Sequence, residues 1–421
     1  DETMEGIIAA YGDKVKLCNG DKRILLSNFP AREGKVGIVT AGGSGHLPVF
    51  LGYVGKGMLD GCAVGNVFAS PAYTKMASAI RAVDSGAGVL CLYGNYGGDK
   101  MNFQQAIEDC EFDDIRCRSV LACDDVASSP RETAEKRRGV AGILYAYKCA
   151  GAAAGQMRSL DEVAAVAEKA VANTRTMGVA LTPCIVPEAG RPTFAIADDE
   201  IEIGMGIHGE KGITVEKMMT ADRISEILME KLLADLPLEA GDEVSVLVNG
   251  LGGTPAEELF IVYRRVAQIL GERGVRIFMP HVGEFATSME MAGLSVTLFK
   301  LDGELKELLR APASTPLLHQ CQQMMEGVMT TKDLCRAIDA ISARIDENRD
   351  ALVSLDQQNG DGDLGISMSG GFRAVSDFLH DSQETDLGKC LNRCGDHFNE
   401  AAPSLAGEPS SPSFSRAWRG A

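Results

Sequence analysis

Hydrophobic positions from Lys35 to about Leu301 fall into two alternating registers. Short β-branched runs, Lys35-Val36-Gly37-Ile38-Val39-Thr40, Gly88-Val89-Leu90-Cys91-Leu92-Tyr93 and Glu243-Val244-Ser245-Val246-Leu247-Val248-Asn249, predict buried strands. Stretches such as Pro255 through Leu270 space their apolar residues for helices. This alternation predicts an α/β fold on parallel or mixed sheets. Each run ends in small residues: Ala41 to Gly45, Gly94-Asn95-Tyr96-Gly97-Gly98-Asp99, and Gly250-Leu251-Gly252-Gly253. In open α/β folds ligands gather at the carboxyl ends of strands, so several of these turns can build one site.

The alternation stops at Arg310-Ala311-Pro312-Ala313-Ser314-Thr315-Pro316. From there the periodicity is helical, over Cys335 to Arg349, Phe372 to Leu379 and Leu387 to Phe398. The chain of 421 residues is too long for one ordinary domain. The pattern predicts an α/β domain over residues 1–313, a linker over 314–324 and an all-α domain over 325–421. Ser, Pro and Gly dominate after Ala401 and predict a poorly ordered end.

Charge narrows the partners. A net charge of -18 opposes nucleic acid and anionic membrane surfaces. No apolar run is long enough to cross a bilayer, and the acidic start at Asp1 is no secretory signal, so a cytosolic, reducing location is expected. Asp1 is not a methionine, and a few residues are expected to precede it. None of the 12 cysteines forms a C-x-x-C pair, and Cys390 and Cys394 have the spacing of buried helical thiols.

Three segments carry candidate chemistry. Gly204-Met205-Gly206-Ile207-His208-Gly209 matches G-x-G-x-x-G, but Glu210-Lys211-Gly212 follows, with an acidic side chain, where a dinucleotide fold needs a helix to hold its pyrophosphate. What remains is a histidine, His208, framed by residues without bulk, open to close approach by a substrate or buried in a structural hydrogen bond. Ala41-Gly42-Gly43-Ser44-Gly45-His46 lacks G-K-[ST] and is no Walker A loop. Backbone amides at Gly43, Ser44 and Gly45 could hold hydroxyl or phosphate oxygens, with His46 as proton donor or acceptor, or the segment is only a tight turn. Asp356, Asp361 and Asp363 are three carboxylates separated by glycines and amides, an oxygen-only set suited to a hard cation. Counted from Asp361, the sixth position is Ile366 rather than glycine, which excludes an EF-hand and favours Mg²⁺ carrying nucleotide phosphates over a merely solvated acidic turn.

These motifs, in this order, resemble the dihydroxyacetone kinase family. The similarity extends to Tyr53 to Leu59, Phe68 to Pro71, Asn95-Tyr96 with Gly98-Asp99, Met101 to Phe103, Arg138-Gly139 and Asn249 to Gly253. The resemblance implies a ketose-binding K domain, an L domain that binds ATP and Mg²⁺, and a homodimer through the K domain. It implies that His208 forms a covalent hemiaminal with a ketone, that His46 hydrogen-bonds the substrate, and that Asp99 accepts the proton of the attacking hydroxyl. Asp356, Asp361 and Asp363 match the family's metal ligands, and Ser404 falls in what resembles the start of a further nucleotide-binding loop.

Departures also matter. Gly94 stands where dihydroxyacetone-specific members carry lysine, so a cation beside the substrate is missing and a longer ketose, such as a tetrulose or its phosphate, becomes an alternative substrate. Leu47 and Ala41 replace residues that are often Glu and Gly. The family's L domain is a closed helical barrel, and the helices expected here cannot close one, so the expectation is a truncated L domain. A non-catalytic ketose-binding or regulatory protein is the rival reading. FAD-AMP lyase activity, present in some members, is a third.

Overall fold

The structure is a computed structural model that describes residues 1–30, 32–320, 330–358 and 360–403. The chain divides into two compact units, Asp1–Gln323 and Met324–Ala421.

The first unit begins with α1 (Glu2–Tyr11) and the hairpin β1 (Val15–Cys18) and β2 (Asp21–Ser27). With β3 (Gly37–Ser44), β4 (Gly61–Val67), β5 (Val89–Gly94) and β6 (Cys117–Ala122) these strands form a sheet ordered β1-β2-β4-β3-β5-β6. The last four are parallel, while β1 and β2 add an antiparallel edge. Parallel strands need crossovers, and α2 (Tyr73–Val83) and α3 (Gly97–Glu111) supply two of them. Their apolar stripes bury Met76, Ile80 and Phe103 against Val39, Val89 and Cys91 on one face of the sheet.

The opposite face is covered by α4 (Ile143–Gly155) and α5 (Leu160–Ala172). The sequence of α4 has no polar stripe, and a helix apolar on every side must be enclosed. Every residue from Ile143 to Ala154 is buried. The enclosure comes from a sheet on each side: Tyr147 Oη lies 2.7 Å from Thr40 on β3, and Tyr145 stacks on Phe299 of the second sheet with ring centroids 4.6 Å apart.

That second sheet starts at β7 (Thr174–Ala180), followed by a small hairpin of β8 (Ile185–Val186) and β9 (Arg191–Pro192). Then come β10 (Glu200–Ile203), β11 (Thr214–Lys217), α6 (Ala221–Asp235), β12 (Glu243–Gly250), α7 (Ala256–Glu272), β13 (Arg276–Gly283) and β14 (Gly293–Leu301). The order is β11-β10-β7-β14-β12-β13, with β12 and β13 parallel and the other pairs antiparallel. Both faces of its centre are covered, by α6 and α7 outside and α4 inside, so β12 reads as an unbroken Val-rich run rather than an alternating one. The result is a five-layered stack of helices and mixed sheets, consistent with the α/β expectation.

Two sequence expectations change. Ala41 to Ser44, expected as a loop, continues β3, because its backbone pairs with β4 as far as Ser44 opposite Val67. Residues from Ser314, expected as a linker, are held on the first unit as far as Gln320. After α8 (Gly303–Arg310), β15 (Ala313–Ser314) pairs with β16 (His319–Gln320). Ser314 N–H donates to Lys56 O at 2.9 Å and Gln320 Nε2 to Leu309 O at 2.7 Å, which outweighs the turn-forming composition.

The second unit contains α9 (Thr331–Glu347), α10 (Arg349–Asp356), α11 (Leu364–Asp381) and α12 (Leu387–Ala401). A capping box of Thr330 and Asp333 starts α9 by satisfying its first free amides. Leu334, Ile338, Phe372, Val375, Phe378 and Phe398 close the core, with Cys390 and Cys394 buried in it. The helix α10 was not anticipated, being short and without a buried residue. Ser404 and the Ser- and Pro-rich end lie outside the described residues. No described helix is long and apolar enough to cross a membrane.

Candidate active site

His208 is placed by the turn after β10. Gly204, at φ +87°, takes the chain out of the strand, and Met205 and Ile207 are buried against Val140, Ala180, Leu251 and Met291. The intervening glycine serves the turn itself: a Cβ on Gly206 would lie 2.2 Å from Glu210 Oε2 and 2.9 Å from an Arg138 guanidinium nitrogen. Glu210 therefore folds back over its own loop, where Oε2 accepts the His208 amide at 2.9 Å and Oε1 lies 3.1 Å from His208 Nδ1.

A charge relay stands behind this contact. Asp125, buried just after β6, pairs with Arg138 at 2.7 Å, and Arg138 lies 3.7 Å from Glu210. Burial alone would raise the Glu210 pKa, but the hydrogen bond and charge of His208 and the charge of Arg138 hold it down at about 2. In the neutral ring, an ionised Glu210 accepting from Nδ1–H fixes the tautomer whose free lone pair is on Nε2.

His46 approaches from the end of β3. Its ring meets that of His208 edge-on at 4.5 Å and stacks on Phe68 at 4.7 Å, and Phe68 and Tyr96 flank His208 at 5.4 and 4.6 Å. The small residues beside His46 make room for that wall: a Cβ on Gly43 would meet Ala69 N at 2.7 Å, and one on Gly45 would meet the Phe68 ring at 2.9 Å. Ser44 and Gly45 line a cleft of about 350 Å³ with Lys22, Arg23, Leu47 and Met289. His46 Nδ1–H donates to Thr287 O at 2.8 Å, and the Thr287 turn is pinned by Asn249, whose Oδ1 accepts the Phe285 and Ala286 amides. Burial, reinforced by the His208 charge, lowers the His46 pKa to about 3. The ring is neutral, and the donor-or-acceptor ambiguity resolves: Nε2 is an acceptor, buried and without a hydrogen-bond partner among the described residues.

Asp99, expected in a loop, sits in the first turn of α3 and is 5% exposed. Burial raises its pKa to about 6, opposed by the Ser70 hydrogen bond and the His208 charge. Its Oδ1 is the second buried atom here without a partner among the described residues. The structure thus gathers His208, His46 and Asp99 into one cluster, with His46 against His208 and Asp99 within its electrostatic reach, and adds Glu210, Asp125 and a role for Arg138 that the Arg138-Gly139 motif did not disclose.

In the second unit, Asp356, Asp361 and Asp363 come together with carboxylate oxygens within 4.8 Å of one another. Asp356 Oδ2 accepts the amides of Gly362 and Leu364 at 2.9 and 3.3 Å. A Cβ on Gly360 would lie 2.3 Å from Asp356 Oδ1, so only glycine lets the loop wrap the carboxylate this closely. An oxygen-only donor set of this kind fits Mg²⁺.

A desolvated histidine cluster in one unit and a loop of three close carboxylates in the other have the composition of an enzyme of small-molecule group transfer. Residues 5–317 match the Dak1 domain family. The chain belongs to the dihydroxyacetone kinase family. It is 48% identical over 316 residues to the dihydroxyacetone-binding subunit DhaK of the PTS-dependent dihydroxyacetone kinase 2 of Listeria innocua, covering 75% of this chain and 95% of that protein. It is 38% identical to the L-erythrulose kinase of Pectobacterium atrosepticum, covering 96% of this chain and 73% of that protein. Among solved structures, the dihydroxyacetone kinase from C. freundii in complex with AMP-PNP and Mg²⁺ superposes with a TM-score of 0.69 at 27% identity, covering 99% of this chain and 80% of that one.

Proposed function

We propose that the chain is an ATP-dependent kinase of a short ketose held on His208 as a covalent hemiaminal, with a tetrulose such as erythrulose as its preferred substrate. The observation that carries this reading is the pair of buried, unpartnered acceptors beside His208, Nε2 of His46 and Oδ1 of Asp99. Buried polar atoms without partners are costly, and two at one histidine suit a polyhydroxylated ligand that supplies the missing donors. Gly94 supports the tetrulose: no cation projects there, and the smallest side chain would press within 3.0 Å of the Tyr96 ring beside His208. The resemblance to an L-erythrulose kinase points the same way.

In this reading His208 Nε2 attacks the ketone carbon. A C–N bond forms, the carbonyl π pair moves onto oxygen, and that oxygen takes up one proton from solvent H₃O⁺, leaving water and an adduct with a single positive charge on the ring. Glu210 stabilises the resulting imidazolium through Nδ1–H. His46 Nε2 accepts a hydrogen bond from a substrate hydroxyl. Asp99 accepts the proton of the terminal hydroxyl as its oxygen attacks the γ-phosphorus of ATP and ADP departs. Asp356, Asp361 and Asp363 would hold Mg²⁺, which when bound neutralises charge on the transferring phosphoryl group. A cytosolic homodimer through the first unit completes the proposal; β11, at the edge of its sheet, has all four residues exposed, and Ile213 and Met218 beside it are exposed too.

Carbonyl-labelled erythrulose tests the adduct directly, because its ¹³C resonance moves from the ketone to the tetrahedral range on binding. Wild type is expected to show the shifted signal and His208→Ala to lose it; a signal that survives in the variant refutes the tether. ADP release coupled to a spectrophotometric readout tests the kinase step. Adduct formation without ADP release would leave a ketose-binding protein and overturn that half of the proposal.

A further inference from the structure

Among the described residues, outside the ketose site and the Asp356–Asp363 loop, one other group of side chains has the composition of a metal site. Cys335 and Asp339 stand four apart on α9, a spacing that puts both on one helix face, and His380 near the end of α11 meets them. The Cys335 Sγ lies 3.7 Å from His380 Nε2 and 3.8 Å from Asp339 Oδ2, and His380 Nε2 lies 3.2 Å from both Asp339 oxygens. Zinc bonds of about 2.3 Å to sulfur and about 2.0–2.1 Å to nitrogen or oxygen set tetrahedral edges of about 3.3–3.6 Å. The three observed separations fall within a few tenths of an ångström of those edges. We infer that Cys335, Asp339 and His380 form a binding site for a borderline divalent cation of the Zn²⁺ class.

Three further features suit that role. Thiolate, imidazole and carboxylate together select Zn²⁺ or Co²⁺ over the hard Mg²⁺ that an oxygen-only loop prefers. Ser376 Oγ donates to Asp339 Oδ1 at 2.6 Å, fixing the carboxylate as outer-shell hydrogen bonds do at metal centres. The group also borders a cleft of about 370 Å³ lined by Thr331, Leu379 and Glu384, which gives the ion a route in and a water at the fourth position. The site is independent of the ketose reading. It lies 17 residues along α11 from Asp363, or about 25 Å at the helical rise, so one helix carries a hard-cation loop at its start and a mixed-donor site near its end. An ion there cross-links α9 to α11.

Cobalt titration of the full-length chain under reducing conditions tests the site, because thiolate ligation gives a near-ultraviolet charge-transfer band that oxygen ligands cannot give. The expected result is a band saturating at one equivalent, displaced by Zn²⁺, abolished in Cys335→Ser, weakened at least tenfold in His380→Ala and unchanged in Asp361→Asn. Ser376→Ala, which leaves all three ligands in place, should weaken binding about tenfold if it orients Asp339. No band in wild type, a band that persists in Cys335→Ser, or one lost in Asp361→Asn overturns the assignment.

Discussion

Replacing Asp99 by asparagine should make the protein more stable while removing its turnover. Asp99 is 5% exposed, and burial lifts its pKa from 3.8 to about 6. That rise corresponds to about 3 kcal/mol by which the folded state disfavours the ionised carboxylate at neutral pH. Between pH 3.8 and about 6 the folded chain binds more protons than the unfolded chain, so this contribution lowers stability as pH rises through the window. The penalty is complete above about pH 6 and absent below 3.8. An amide carries no charge but inherits the unpaired position, which costs about 1 kcal/mol, leaving a net gain of about 2 kcal/mol at pH 8. For a unit of this size that gain is about 3 °C in melting temperature. Thermal melts followed by circular dichroism at pH 8 and pH 5 should show Asp99→Asn melting higher at pH 8, with the gap narrowing at pH 5. ADP release should fall by a factor of about 10² to 10⁴, as for loss of a general base. In wild type, kcat/KM should decline below pH 6 as Asp99 takes up its proton. A variant that melts lower than wild type at pH 8, or a gap that ignores pH, would refute the view that Asp99 is a desolvated carboxylate kept for chemistry at the expense of stability.

Gly94→Ala places a methyl group 3.0 Å from the Tyr96 ring and should turn that ring away from His208. A rise in KM for erythrulose of about tenfold, some 1.4 kcal/mol of lost contact, is the expected result of steady-state ADP release; unchanged KM would mean that Tyr96 does not shape the pocket. Glu210→Gln keeps the shape of the side chain that Arg138 and His208 hold ionised down to about pH 2, but removes the charge facing the imidazolium. The ¹³C titration should then show ketose adduct affinity at least tenfold weaker, with the pocket otherwise folded, and equal affinity would remove Glu210 from the chemistry.

The α/β layering was legible because strands buried on both faces read as unbroken β-branched runs, as Glu243 to Asn249 does, and because α4 has no polar stripe at all. His46 and His208 stood out for their glycine-rich settings and Asp99 through the family resemblance, yet the reason for those glycines was not legible. Gly206 and Gly43 are small because Glu210 and the chain at Phe68 and Ala69 occupy the space a methyl group would need, a fact of tertiary contact that no local pattern encodes. For the same reason the pairing of Arg138 with Asp125 was silent in the sequence: it spans 13 residues and joins the end of a strand to a loop. Glu210 was more than silent. Its charge after the G-x-G-x-x-G segment counted against a phosphate site and nothing more, whereas in the folded chain the same carboxylate decides which ring nitrogen of His208 is free to react. In the proposed mechanism the acid that excludes a dinucleotide is thus the acid that supports a nucleophile, and the two readings are one electrostatic fact seen from opposite ends of the loop.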